Sequence, residues 1–184
     1  TKAPQTIIGS NDFIHDHAEN TKWLDYEVEL AVIIGKTTRD VTENNAMKSV
    51  FGYTIGNDVT ARDMQKRHIQ WFKGKSLDTT CPLGPSITMA DNNVIDPHNL
   101  KIKTFINDDL RQNSTTSNLI FKIPQLISEL SKGFTLLPGD VILTGTPDGV
   151  GYAMEPPQVL RDGDVIRMEI EHLETLHNTV KKLW

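Results

Sequence analysis

Apolar and polar positions alternate most regularly between Asp25 and Lys36, a stretch that reads as a strand ending at Gly35. Successive strand side chains point to opposite faces, so Glu27 and Glu29 share a face with Asp25, Ala31 and Ile33. Tyr26, Val28, Leu30, Val32 and Ile34 take the other. From Leu30 to Ile34 both faces are apolar, which predicts a buried strand. A second strand is predicted over Phe51–Val59, with Thr54, Gly56 and Asp58 on one side and Tyr53, Ile55 and Asn57 on the other. Further strands are predicted at Ser86–Ala90, Leu100–Asn107, Val141–Thr144 and Val165–Ile170.

Helical pattern is sparse. Thr42 is a candidate N-cap for a short helix ending near Val50 or Gly52. Residues 60–65 suggest a helical turn that puts Arg62 and Gln65, three apart, on one side. The clearest helix spans Pro124–Lys132, with Pro124 in the first turn, an apolar stripe of Leu126, Ile127 and Leu130, and Gly133 as its stop. Residues 66–85 are dense in Pro and Gly and read as an ordered loop. Many short strands with few helices predict a β-rich α+β fold in one domain over residues 1–184.

Composition narrows the function classes. The net charge is −5 with no basic block, which argues against a nucleic-acid surface. The longest apolar run, Leu30–Ile34, is far too short for a membrane helix. The lone cysteine, Cys81, has no intrachain partner and fits a reducing, cytoplasmic setting. Thr1 stands where a complete chain would have methionine, so the expectation is a piece of something longer.

The candidate chemistry is acidic. Glu27 and Glu29 lie about 7 Å apart along a strand running into buried structure, where like charges repel. A hard divalent cation relieves that repulsion, since Mg²⁺, Mn²⁺ and Ca²⁺ take carboxylate oxygens. Two glutamates on a solvated edge are the alternative. Asp58 could supply a third carboxylate from the neighbouring strand, leaving positions on the cation open to water and substrate, with a strand-end turn aspartate as the alternative. Lys75, between Gly74 and Ser76, could neutralise an enolate or carboxylate oxygen, though a surface lysine is the commoner case. His15, Asp16, His17 and Glu19 form a tempting ligand cluster, but no apolar alternation supports them and a solvated loop is expected. Gly145–Gly151 lacks the Gly-Lys-Ser/Thr ending of a phosphate loop; its backbone could still cradle a carboxylate.

Five segments in order, 25–36, 51–65, 74–79, 82–85 and 138–151, resemble the fumarylacetoacetate hydrolase family, and the likeness runs over about residues 24–180. The resemblance implies a mixed β-sandwich or β-roll of the family's C-terminal domain type, acting as a homodimer. It implies metal ligands at Glu27, Glu29 and Asp58, and catalytic or substrate contacts at Arg62, Gln65, Lys75 and Thr146. The expected cofactor is Mg²⁺ or Mn²⁺, with Ca²⁺ possible. The implied substrate is a 2-oxo acid with a second carbonyl, as in aromatic compound catabolism. Hydrolytic C–C cleavage of an acylpyruvate through a metal-stabilised enolate is the leading expectation. Isomerisation, tautomerisation or decarboxylation of a 2-oxo or 2-hydroxy-dienoic dicarboxylate shares that enolate and stays open. A non-catalytic Ca²⁺-binding module and a partner-binding β domain are the readings outside this class. Family members commonly carry a His–Glu lid ahead of the segment matching Lys2-Ala3-Pro4, so residues 1–184 are expected to lack it, and its roles are not carried onto His15 and Glu19.

Overall fold

The computed structural model describes residues 1–91 and 95–183. In chain order its strands and α-helices are β1 (Ile7–Ile8), β2 (Phe13–His15), β3 (Leu24–Asp25), β4 (Val28–Ile34), α1 (Glu43–Ala46), β5 (Val50–Asn57), β6 (Thr60–Ala61), α2 (Arg62–Arg67), α3 (Phe72–Lys75), β7 (Cys81–Met89), β8 (Lys101–Ile106), β9 (Asp109–Thr115), α4 (Ile123–Ser131), β10 (Val141–Leu143), β11 (Val165–Ile170) and β12 (Leu176–Lys181). They form two five-stranded sheets, β1-β7-β5-β4-β10 and β2-β12-β11-β8-β9, plus a two-stranded ribbon, β3-β6. Both large sheets are mixed, because β1 joins β7 and β2 joins β12 in parallel while their other pairings are antiparallel. The fold is β-rich α+β, as the periodicity predicts.

β4 lies between β5 and β10, and all seven of its residues are buried. Val28, Leu30, Val32 and Ile34 belong to one apolar cluster with Ile102, Ile106, Ile166, Met168 and Ile170 of the second sheet. This shared cluster is where the two sheets pack. Burial of a side chain of this size contributes roughly 1.5–3 kcal/mol, so the apolar face of β4 is a main anchor of the fold. Glu29, Ala31 and Ile33 take the face turned away from that cluster.

The structure departs from the sequence expectations in several places. The long strand is broken at Tyr26–Glu27 into β3 and β4, and β3 leaves to pair with β6. Asp58 lies one residue beyond β5, not within it. Cys81–Pro85, expected as loop, forms the first half of β7, and α3 falls inside the same expected loop. β7 accommodates its prolines because Pro85 falls in the register shift against β5, between the Ile55–Gly84 and Tyr53–Thr88 pairs, and Pro82 lies opposite Ile8 of the two-residue edge strand β1. Helix α4 buries Ile123 and Ile127, with Ser131 in line at i+4, while Leu130 is 45% exposed. Strands β2, β6, β9 and β12 are additional, β6 standing where a helical turn is expected. No helix among the described residues is long and apolar enough to cross a membrane.

Candidate metal centre

The register of β4 against β5 pairs Val28 with Asn57 and Glu29 with Gly56. Just past the ladder, the Asp58 amide donates to the Glu27 carbonyl at 2.9 Å, and the Glu27 amide donates to Asn57 Oδ1 at 3.0 Å. These bonds hold Glu27 and Asp58 side by side, two positions from Glu29. One carboxylate oxygen from each of Glu27, Glu29 and Asp58 lies within 4.8 Å of the others. The three acids named from the sequence therefore converge.

Cations frame two of the three. Lys75 Nζ bridges Glu27 Oε2 at 2.7 Å and Asp58 Oδ2 at 2.6 Å. Lys2 Nζ holds Asp58 Oδ1 at 2.8 Å, and Arg62 Nη1 holds Glu27 Oε1 at 2.6 Å. Burial pushes the Asp58 carboxyl up, but the two lysines outweigh it and leave it below the ordinary aspartate value. Burial likewise opposes the charged form of Lys75, but Asp58 and Glu27 outweigh it and raise the ammonium pKa. Lys75 is therefore a held cation at neutral pH.

Glu29 differs. Its carboxylate accepts from the Gly145 amide at 2.5 Å, with no lysine or arginine in ion-pair contact among the described residues. Burial first, then the charges of Asp58 and Glu27, push its pKa up to about 8 against the pull of the Gly145 amide. A buried carboxyl that cannot easily ionise beside two others suits a divalent cation, and an all-oxygen donor set suits a hard one.

Arg62 is locked in place. It donates to the fully buried Asp25 through Nε and Nη2, both at 2.9 Å, and Nη1 also reaches Gln65 Oε1 at 3.3 Å. Asp25 additionally accepts from the amides of Gly151 (2.8 Å) and Tyr152 (3.0 Å). Asp25, predicted to share the glutamate face, meets Glu27 on the same Arg62 guanidinium and also anchors the 149–152 turn. Among the described residues, Gln65 joins the centre through Arg62.

Thr146 follows Gly145 in the loop after β10, and its hydroxyl accepts from Gln112 Nε2 at 2.8 Å. Two cavities flank this loop. One of about 720 Å³ opens on Glu29, Asp58 and Lys2, with Leu83, Phe134 and Leu143 among its walls. The other, about 460 Å³, is lined by Thr146, Ser114 and Phe121, and Gly145 borders both. Thr146 therefore faces the neighbouring cavity.

Sequence reasoning missed Lys2, Asp25 and Gln112. Gln112, buried in β9, accepts from the Val28 amide (3.2 Å) and Thr104 Oγ1 (2.8 Å), and donates to Thr146 Oγ1 and the Pro147 carbonyl (3.0 Å). It ties the strand between the two glutamates to the Thr146 loop. The solvated-loop expectation for His15, Asp16, His17 and Glu19 holds for Glu19, exposed in the 18–20 turn, and is corrected for the histidines: both are buried, and one ligand atom from each of His15, His17 and Glu19 lies within 4.8 Å of the others. β2 is covered through its pairing with β12, and His17 docks on the carbonyl of Asp78. Partners so distant in sequence leave no local pattern.

The family profile Fumarylacetoacetate (FAA) hydrolase C-terminal matches residues 1–181. The chain belongs to the fumarylacetoacetate hydrolase family. An oxaloacetate tautomerase of Bacillus subtilis (strain 168) is 51% identical over 180 residues, covering 98% of this chain and 60% of that protein. A mitochondrial oxaloacetate tautomerase of Xenopus laevis is 47% identical over 97% of this chain and 56% of its own length. The fumarylacetoacetate hydrolase of Exiguobacterium antarcticum superposes with a TM-score of 0.94 at 51% identity, covering 98% of this chain and 64% of that one. A 2-hydroxyhepta-2,4-diene-1,7-dioate isomerase from Mycobacterium marinum gives 0.87 at 40% identity, covering 96% and 66%. The chain thus spans about three-fifths of the length of these relatives.

Proposed function

We propose that this chain is the metal-binding catalytic part of a tautomerase or isomerase acting on a small 2-oxo dicarboxylate of the oxaloacetate type. The observation that carries the reading is the convergence of three carboxylates with Lys75 bridging two of them, in a chain close to named oxaloacetate tautomerases. Glu27, Glu29 and Asp58 would hold Mg²⁺ or Mn²⁺, and Ca²⁺ suits the same oxygens. The cation, when bound, supplies Lewis-acid polarisation of a 2-oxo oxygen.

The remaining roles belong to the chain. Keto–enol interconversion moves one proton between C3 and the 2-oxo oxygen, breaks no carbon–carbon bond and consumes no water. Negative charge develops on that oxygen, and Lys75 Nζ, the cation that bridges two of the carboxylates, is placed to stabilise it. Arg62 acts by positioning, fixing Glu27 and presenting Gln65. Thr146 lies across Gly145 from the carboxylates, in the adjoining cavity; its oxygen accepts from Gln112, so it keeps its own proton for a substrate carboxylate that extends past Gly145. A homodimer is part of the proposal, supported by the exposed apolar Ile69, Trp71, Ile120 and Phe121.

The test follows oxaloacetate enol decay by ultraviolet absorbance, and acetylpyruvate cleavage in parallel, with Mg²⁺ or with chelator. Metal-dependent acceleration of tautomerisation, lost in Glu29→Gln and Lys75→Met, is expected. Cleavage of acetylpyruvate without accelerated tautomerisation would return the reading to hydrolysis.

A further inference from the structure

We propose that His15, His17 and Glu19 form a second, separate metal site, selective for a borderline ion of the Zn²⁺ class. One ligand atom from each residue lies within 4.8 Å of the others. The spacing of the best-defined pair is informative. His15 Nε2 stands 3.4 Å from Glu19 Oε1. That is long for a hydrogen bond, whose heavy atoms normally sit about 2.7–3.2 Å apart. It equals the ligand–ligand edge of a tetrahedron with metal bonds of about 2.0–2.1 Å, namely about 3.3–3.4 Å.

For His17, the hydrogen bond to the backbone leaves Nδ1 as the donor atom for the ion. Its Nε2 lies 2.9 Å from the Asp78 carbonyl, which can only accept, so Nε2 carries the proton and Nδ1 carries the lone pair. Metal-bound histidines use this same outer hydrogen bond to a carbonyl to fix ring and tautomer. Burial lowers the His17 pKa and keeps the ring neutral. Glu19, with its side chain 48% exposed, gives the ion a route in and leaves room for water as a fourth ligand.

His15 needs one rearrangement. Its Nδ1 accepts from the Leu183 amide at 3.1 Å, so the ring proton now sits on Nε2, facing Glu19. Binding through Nε2 moves that proton to Nδ1 and releases the Leu183 amide. One hydrogen bond near the end of the described chain is exchanged for a metal–nitrogen bond. The His15 amide also donates to Thr79 Oγ1 at 2.8 Å, so an ion held here would brace the segment directly after Lys75.

Donor chemistry separates the two sites. Two imidazoles and one carboxylate favour Zn²⁺, Co²⁺ or Ni²⁺, whereas three carboxylates favour Mg²⁺ or Mn²⁺. The experiment strips the full chain with chelator, saturates it with Mg²⁺, then titrates Co²⁺ and follows its visible absorption. We expect one Co²⁺ per chain with the intense bands of a four-coordinate ion, displaced by Zn²⁺. Glu19→Gln, a change at a half-exposed position, should weaken binding at least about tenfold, and His17→Gln should abolish it. Glu29→Gln should leave the bands unchanged. Absence of the bands in the wild type overturns the proposal. So does their persistence at wild-type affinity in both cluster variants, or their loss in Glu29→Gln.

Discussion

Gln112 shows how one buried side chain sets the polarity of the site. All four of its hydrogen-bonding capacities are used, two accepting from Val28 and Thr104 and two donating to Thr146 and Pro147. Because the amide donates to Thr146, the threonine proton is free for a substrate oxygen. Gln112→Glu keeps the acceptor for Val28 but turns the other half into a second acceptor, which would capture that proton. The expected result is a KM raised about tenfold, ~1.4 kcal/mol, with a smaller change in kcat. Thr146→Val should give the same rise, and the double variant should add nothing to it. Steady-state kinetics on the three variants decides this, and additive effects would refute the link. At this scale alternation makes Glu27, Glu29 and Asp58 candidates and the family resemblance names them as ligands, although Glu27 and Asp58 lie just outside β4 and β5. Gln112, Asp25 and Lys2 are reached by neither, because each acts through partners dozens of residues away, and a lone Gln, Asp or Lys carries no local pattern.

Among elements, β4 and β5 place the chemistry, and their glycines show how tightly. A side chain at Gly56, the partner of Glu29, would put its Cβ 2.6 Å from Leu143 Cδ2 and 3.3 Å from Leu83 Cδ2. Those methyl ends can move, so Gly56→Ala should cost about 1–3 kcal/mol and shift the cavity wall beside Glu29. A Cβ at Gly52 would meet the Thr88 carbonyl of β7, backbone that cannot swing aside. Gly52→Ala should therefore be the more destabilising in denaturant titrations, and Gly56→Ala the one that weakens Mg²⁺ binding. A reversed order on both counts would show that the ladder is looser than its geometry. Legibility at this scale follows burial. β4 announced itself because both faces are apolar, and β11 through its β-branched residues. β12, Leu176–Lys181, did not, since its buried Asn178 is satisfied by the carbonyls of Gly9 and Asp12 rather than by apolar neighbours. The first half of β7 stayed hidden because Pro and Gly there signal loop to any local rule.

For the whole molecule, the charge state of Glu29 couples folding to metal. Its folded pKa of about 8 lies above its ordinary value of 4.5, so between those values the native chain binds more protons than the unfolded one. Without metal, this group's contribution makes stability fall as pH rises across that window. A divalent cation must displace the same proton, so its affinity changes the other way and strengthens with pH. With Mg²⁺ at about 100 times its Kd, stabilisation is about 2.7 kcal/mol, or roughly 5–10 °C in Tm for a chain of this size. Differential scanning calorimetry with and without Mg²⁺ should show this gap small near about pH 6 and wide near about pH 9. Glu29→Gln, which carries neither the proton nor the charge, should flatten both curves. A gap that ignores pH, or that survives in Glu29→Gln, would mean that the cation stabilises the fold from somewhere other than these carboxylates.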